Sequence, residues 1–219
     1  MKGYYRGSGA RAYDKRHERF TRITLNQALR LIDDETLRDS TLHQGRAPII
    51  LDVACGTGVL LSILHKRFPD AELYGIDGSS DMLEVARRRL SSVPHLRLEQ
   101  VPLSVGDRAR LPYPDRSFSL ITCTNAVHAM PEPVTTLAEF RRLLAQSGQL
   151  VLEDYARRPP PFPWWLFVNL SRRFVEGYLH PYTLSEALSL CRQAGLSVTH
   201  SHAFVINWLL RGWAIRVVT

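Results

Sequence analysis

A glycine turn, several carboxylates and a histidine are the residues here whose types and spacing can do chemistry. The turn is Asp52-Val-Ala-Cys-Gly56-Thr-Gly58. Glycine permits a tight turn and lets a ligand approach the backbone closely. A following helix offers free N–H groups and a positive dipole end, which suit a carboxylate or phosphate. Leu61 stands where a dinucleotide fingerprint carries its third Gly or Ala, and no Gly-Lys-Ser/Thr follows to make a P-loop. Asp77 ends a second apolar run about twenty residues further on, where a carboxylate accepts from ribose hydroxyls in a doubly wound fold. It equally suits the N-cap of a helix starting near Ser79. Gly106-Asp107-Arg108 follows a third run, and Asp107 reads either as an acceptor for an adenine amino group or as a turn residue. His128, in Asn125-Ala-Val-His128-Ala-Met130, is a candidate base because imidazole ordinarily titrates near neutrality. It reads otherwise as a packing residue or a partner for a loop carbonyl.

Such side chains meet only if strands and helices alternate. Apolar positions Phe20, Ile23, Leu25, Leu29 and Ile32 predict a helical region from Asp14 to about Leu37. Residues 1–13 read as mobile, and Asp39 to Pro48 as a linker. Strands are expected at Ile49–Ala54, Ala71–Ile76, Val101–Val105 and Phe118–Thr124. A further strand is expected at Gln149–Tyr155, after a Ser147-Gly148 turn. Helices are expected at Val59–Phe68, Ser79–Leu90, Pro133–Leu144 and Leu184–Ala194. Two last strands, Ser197–Ile206 and Trp213–Val218, flank Arg211-Gly212 and predict an antiparallel edge hairpin. The fold class is therefore α/β, a doubly wound and mostly parallel seven-stranded sheet. One domain spans 1–219, with an N-terminal helical cover over 1–45 and a lid insertion over 156–183.

Composition narrows the classes further. A chain of 219 residues with 45% hydrophobic and 22% charged residues is globular, not disordered, collagen-like or disulfide-stapled. Its 28 basic and 21 acidic residues give +7, a surface for anionic partners or simply a basic enzyme. Arg87-Arg88-Arg89 reads as a solvated helix face, so nucleic acid is not the expected partner. Cys55, Cys123 and Cys191 form no CxxC pair, which argues against a zinc or disulfide framework and for reduced thiols in the cytoplasm. No metal site is expected. The polar start lacks a signal-peptide core, and the apolar run Phe162 to Leu170 is far short of the ~20 residues a spanning helix needs.

Four linked segments then carry a resemblance. Leu51-Asp-Val-Ala-Cys-Gly-Thr-Gly58 resembles motif I of the class I S-adenosylmethionine-dependent methyltransferases. Tyr74-Gly-Ile-Asp-Gly-Ser-Ser-Asp-Met-Leu83 is similar to their second motif. Gly106-Asp107 with Leu111-Pro-Tyr-Pro-Asp-Arg-Ser-Phe118 resembles the third and fourth, and Leu143-Leu-Ala-Gln-Ser-Gly-Gln-Leu150 the post-core segment. The nearest resemblance is to the small-molecule, quinone-methyltransferase-like group, which implies a Rossmann-like methyltransferase fold and S-adenosylmethionine as cofactor. By that resemblance Gly56 and Gly58 pass under the methionine portion, and Asp52 orients its amino group through water. Asp77 holds the ribose diol, and Gly78, Ser79 and Met82 flank the adenine. Asp107 and the Arg108 backbone bind the adenine edge, and Asn125 lies near the aminocarboxylate. The chain departs from the family at Ser119, where Asp is usual, and at Ser147 and Gln149, where Pro and a second Gly are usual.

Methyl transfer is displacement chemistry governed by alignment, and a base is needed only when the acceptor loses a proton. His128 is the candidate base, with Tyr13 and Tyr155 as further catalytic candidates. Asp154, ending the fifth strand, is a candidate acceptor contact, and in the family a Tyr placed like Tyr13 closes over the site. His180, Tyr182, His200 and His202 read as structural. Four prolines within Pro159–Pro163 preclude a helix there, and Trp164 and Trp165 follow in a bulky apolar run. That run reads as an acceptor pocket, as sheet packing, or, with its Arg pairs, as a peripheral contact with an anionic membrane. The expected activity is methyl transfer to a small, largely apolar metabolite. Nucleic-acid or protein methylation and a catalytically silent cofactor-binding module are the alternatives. The sequence does not give the oligomeric state.

Overall fold

A computed structural model describes residues 6–38, 47–102, 110–158, 163 and 180–218. Its centre is a seven-stranded sheet in the order β3-β2-β1-β4-β5-β7-β6. The strands are β1 (Ile49–Val53), β2 (Glu72–Asp77), β3 (Leu96–Gln100), β4 (Phe118–Thr124), β5 (Leu144–Ala156), β6 (Val198–Val205) and β7 (Arg211–Val218). Strands β1 to β5 pair in parallel, while β7 runs antiparallel to both β5 and β6. The doubly wound sheet with an edge hairpin is as the sequence predicts.

Helices cover both faces because the central strands are apolar on both. In β1, Ile50 packs with one cluster and Leu51 with the other, as alternation along a strand requires. Helix α1 (Gly7–Leu31), α2 (Val59–Arg67) and α3 (Ser80–Arg89) share one face, burying Leu25, Leu61, Leu64 and Leu83. Helix α4 (Pro133–Leu143) and α5 (Leu184–Gln193) cover the other, burying Phe140, Leu143 and Cys191. Local signals fix the ends. Ser79 caps α3 by accepting from the Met82 N–H, Pro133 opens α4, and Thr183 with Glu186 forms a capping box on α5. Strand order reverses between β1 and β4, so a crevice opens at their carboxyl ends.

Four boundaries differ from the sequence reading. Strand β7 starts at Arg211, so Arg211-Gly212 lies within the strand, paired with Val205 and Phe204, and residues 206–210 make the hairpin turn. Helix α1 begins at Gly7, so the Gly-rich stretch up to Tyr13 is helical and Tyr13-Asp14 lies inside the helix rather than before it. Tertiary contacts supply what local propensity lacks: the Gly7 N–H donates to Asp81 Oδ2 at 2.9 Å at the start of α3. The third strand is Leu96–Gln100, ahead of the Val101–Val105 run. Its register against β2, from Leu73↔Leu96 to Asp77↔Gln100, ends two residues before Pro102, which has no N–H for a ladder. The fifth strand starts at Leu144. The Ser147-Gly148 turn is a bulge within it, where pairing with β4 jumps from Phe118↔Leu144 to Leu120↔Gln149 and Ser147 takes φ +62°.

Residues 39–46 of the expected linker and most of the 156–183 lid lie outside the described residues. All three cysteines are buried and free, and no helix among the described residues is long and apolar enough to cross a membrane.

Candidate active site

The crevice is a cleft of about 600 Å³. Its floor is the turn after β1. Ala54, Gly56 and Gly58 all adopt positive φ there, at +59°, +54° and +76°. The two glycines serve different ends. Gly56 lines the cleft, and a Cβ on it would meet only Met82 Cε at 3.6 Å. Gly58 is not among the cleft residues; a Cβ there would sit 2.8 Å from Leu90 Cδ1 and 3.1 Å from Ala86 Cβ. Its role is to let α3 lie against the turn.

Asp77 stands at the carboxyl end of β2 and holds the turn. Its Oδ2 accepts from the Gly56 N–H and its Oδ1 from the Ser79 N–H, both at 2.8 Å. Burial raises its pKa, opposed by those two N–H groups. Each oxygen keeps a lone pair for a ligand hydroxyl. The N-cap is Ser79 and not Asp77, whose carboxylate instead ties the glycine turn to the cap residue and keeps acceptor capacity for a ligand. Gly78, Ser79 and Met82 line the same wall.

Asp52 ends β1, almost fully buried, with Thr122 Oγ1 donating to its Oδ1 at 2.7 Å. Burial pushes its pKa up to about 7, against the Thr122 hydrogen bond and with the charge of Asp77 adding to the rise. Asn125 follows β4 at φ +52° and donates through Nδ2 to Thr24 Oγ1 of α1 at 3.0 Å. Its Oδ1 is buried with no hydrogen-bond partner among the described residues.

His128 sits in a short 3₁₀ turn (Val127–Ala129) at the rim of the cleft. Its Nδ1 lies 2.8 Å from Asp154 Oδ1 and its backbone N–H donates to Asp154 Oδ2, also at 2.8 Å. Asp154 is 1% exposed and also accepts from the Tyr155 N–H at 2.7 Å. The expectation that Asp154 and Tyr155 face an acceptor is therefore revised. Asp154 stands behind His128, the Tyr155 ring packs on the imidazole with centroids 4.4 Å apart, and neither lines the cleft. Tyr13 does line it, from α1, beside His17. Asp107, Arg108, Trp164 and Trp165 lie outside the described residues.

Other cleft residues escaped the sequence reading. Arg6, Asp14, Thr21 and Leu25 bring α1 across the opening. Asp14 accepts from Thr57 Oγ1 at 2.6 Å and pairs with Arg89 of α3, whose Nη1 also donates to the Thr57 carbonyl at 2.6 Å. Contacts spanning 43 and 75 residues leave no signal in local spacing. Among the described residues no group of His, Cys, Asp and Glu is placed to hold a metal.

Residues 50–148 match the family described as a methyltransferase domain. The chain is 38% identical over 113 residues to a demethylmenaquinone methyltransferase of Deinococcus radiodurans, covering 51% of this chain and 44% of that protein. It is 38% identical over 156 residues to the Symbiobacterium thermophilum protein of the same name, covering 64% and 60%. The matches thus span roughly half of those relatives' length. Among solved structures, a chain from a Haloferax volcanii complex of a methyltransferase with a methyltransferase activator superposes with a TM-score of 0.73. That match is 17% identical and covers 94% of this chain and 92% of that one, a likeness of fold. By its four linked motifs, its fold and these matches, the chain is similar to the class I S-adenosylmethionine-dependent methyltransferases, and the two relatives named here are demethylmenaquinone methyltransferases.

Proposed function

We propose that this chain transfers the methyl group of S-adenosylmethionine to a small, largely apolar, quinone-like acceptor by direct displacement. One observation carries the reading: the Asp77–Gly56 cradle and His128, which Asp154 holds from behind, line the same cleft. The residues present fit the cofactor. Asp77 has lone pairs for a ribose diol, and the orphaned Asn125 Oδ1 and the buried Asp52 carboxyl suit an ammonium group. Met82 offers an apolar surface to a base, and Asp107 and Arg108 are assigned to the adenine edge on the resemblance alone.

When bound, the cofactor supplies an electrophilic methyl whose bonding pair returns to sulfur as the acceptor's pair takes the carbon. This chain's contribution is alignment and proton handling. Asp154 fixes the imidazole of His128 by accepting from Nδ1, which leaves Nε2 to take a proton from an acceptor hydroxyl or ring carbon. Tyr13 closes the cleft from above as part of an N-terminal cover over 1–45. The acceptor-wall role that the sequence suggests for Trp164 and Trp165 falls on residues outside the described ones. Three buried free thiols support a cytoplasmic setting.

The test uses radiolabelled methyl donor, a host extract and an Asp77→Ala control. Label entering the organic phase, and lost in the variant, is the expected result. Label in polymer sensitive to nuclease or protease would overturn the acceptor class.

A further inference from the structure

Among the described residues the most exposed large apolar side chain is Trp208, 82% exposed, at the tip of the β6–β7 hairpin; Val205 follows at 61%. The tip is a built turn. Asn207 Oδ1 accepts from the Leu209 and Leu210 N–H groups at 2.8 and 2.7 Å, and the Leu210 carbonyl accepts from Ile206 and Asn207. Trp208 is thereby held outward. Two guanidinium groups stand on the same turn: Arg158 Nη1 donates to the Trp208 carbonyl and Arg211 Nη1 to the Asn207 carbonyl, each at 3.4 Å.

The position of the tip is informative. Ala156 pairs with Arg211, so the turn projects beyond the carboxyl end of β5, the same edge of the sheet on which the cofactor cleft opens. The amino half of α1 overhangs that edge, since Tyr13, Asp14 and Thr21 line the cleft, and Arg11, Lys15, Arg19 and Arg22 lie on its exposed side.

We infer that this edge rests on an anionic lipid bilayer, with Trp208 and Leu209 entering the interface and Arg158 and Arg211 lying at headgroup level. Indole is amphipathic and favours the headgroup boundary, and arginine extends its stem along apolar surface while its charge stays wet. The net charge of +7 adds long-range attraction to an anionic leaflet. A protein partner is a poorer occupant. A stable interface needs about 800 Å² per side, and a five-residue turn tip offers far less. The bilayer is also where an apolar acceptor would partition, so the inference extends the proposed function without depending on it.

The test is co-sedimentation of the full chain with vesicles, with neither methyl donor nor acceptor present. Binding to phosphatidylglycerol-containing vesicles but not to pure phosphatidylcholine is expected, with loss of binding as salt rises from about 0.1 to 0.5 M. Trp208→Ser with Leu209→Ser is expected to lower binding about tenfold, and Arg158→Gln with Arg211→Gln to lower it and flatten its salt dependence. Cofactor titration of each variant, expected unchanged, shows that it is folded. Failure of the wild-type chain to bind, or equal binding by the Trp208 variant, overturns the inference. So does a Trp208-dependent dimer without vesicle binding, which would make the tip a face for a second copy. None of these outcomes touches methyl transfer, which the labelling experiment reads separately.

Discussion

Thr57 Oγ1 donates to Asp14 Oδ1 at 2.6 Å, fastening the first helix to the glycine turn. Arg89 completes the latch, pairing with Asp14 and donating to the Thr57 carbonyl. Asp14 and Thr57 both line the cleft, so the latch is placed to slow release of a ligand bound there. Arg89→Ala should speed cofactor dissociation about five- to tenfold while stability falls by no more than ~1 kcal/mol, since the ion pair is partly exposed. Stopped-flow displacement checks this; an unchanged off-rate would remove the latch from the binding path.

The buried carboxyl of Asp52 predicts a pH dependence of binding. Its pKa in the folded chain, about 7, lies above the ordinary 3.8, so the folded state keeps a proton that the unfolded state has lost. Apo-protein stability from this group is accordingly greatest at low pH and falls as pH rises between about 4 and 7. An ammonium group beside Asp52 reverses that preference and releases the proton. Cofactor affinity should therefore rise with pH up to about 7, at most about tenfold per unit, with proton release visible by calorimetry in two buffers. Asp52→Asn should abolish the release, and its persistence would place the titrating group elsewhere.

His128→Ala and Asp154→Asn should act as a pair. Each is expected to lower kcat by about 10²–10³ with little change in cofactor affinity. The double variant should lose little beyond the worse single one, because Asp154 works through His128. Additive losses would show that Asp154 acts on its own, and full activity in His128→Ala would show that the acceptor needs no base.

The glycines of the turn should separate stability from binding. Gly58→Ala puts a methyl against Leu90 and Ala86 at positive φ, which should cost about 2–4 kcal/mol and lower Tm by several degrees. Gly56→Ala meets no hard contact, so it should weaken cofactor binding more than it lowers Tm. The opposite ranking would exchange the two roles.

Glu153 is fully buried, and neither of its carboxyl oxygens has a hydrogen-bond partner among the described residues. Burial holds its pKa well above the ordinary carboxylate range. Stability from this group is therefore lost as pH climbs from about 4.5 toward the raised value. Glu153→Gln should leave the midpoint of denaturant unfolding little changed at pH 5 and raise it at pH 8. A lower midpoint at both would mean that the carboxyl is stabilising.

Much of this was legible because short-range rules governed it. Four of the five residues of β1 are apolar and point to both faces, and β4 runs from Phe118 to Thr124 as its residues indicate, since buried parallel strands announce themselves as apolar runs. The Asp77 to Met82 wall of the cleft followed from strand ends and glycines. The rest was set by distance in the chain. The Asp154 side chain turns to the face where His128 waits, and a period-two strand cannot reveal which neighbour fills that face. Strand β3 was misplaced because an edge strand buries little, so its pattern is weak beside the apolar Val101 run. Gln149 looked like a departure from the family's glycine. It is fully buried, accepts from the Asp33 N–H and donates to the Asp33 carbonyl, at 2.9 and 2.7 Å.

That last pair gives the first helix a mechanical asymmetry. Just beyond its carboxyl end the chain is pinned to the sheet by a buried two-way amide bond, reinforced by Arg216 on Asp33. Its amino end is held by one partly exposed ion pair and an exposed hydrogen bond, contacts that water and salt can replace. A rod fixed at one end and buttoned at the other swings like a trapdoor on its hinge. The free end of this one lies along the cleft, so rising ionic strength should loosen the door before it disturbs the frame.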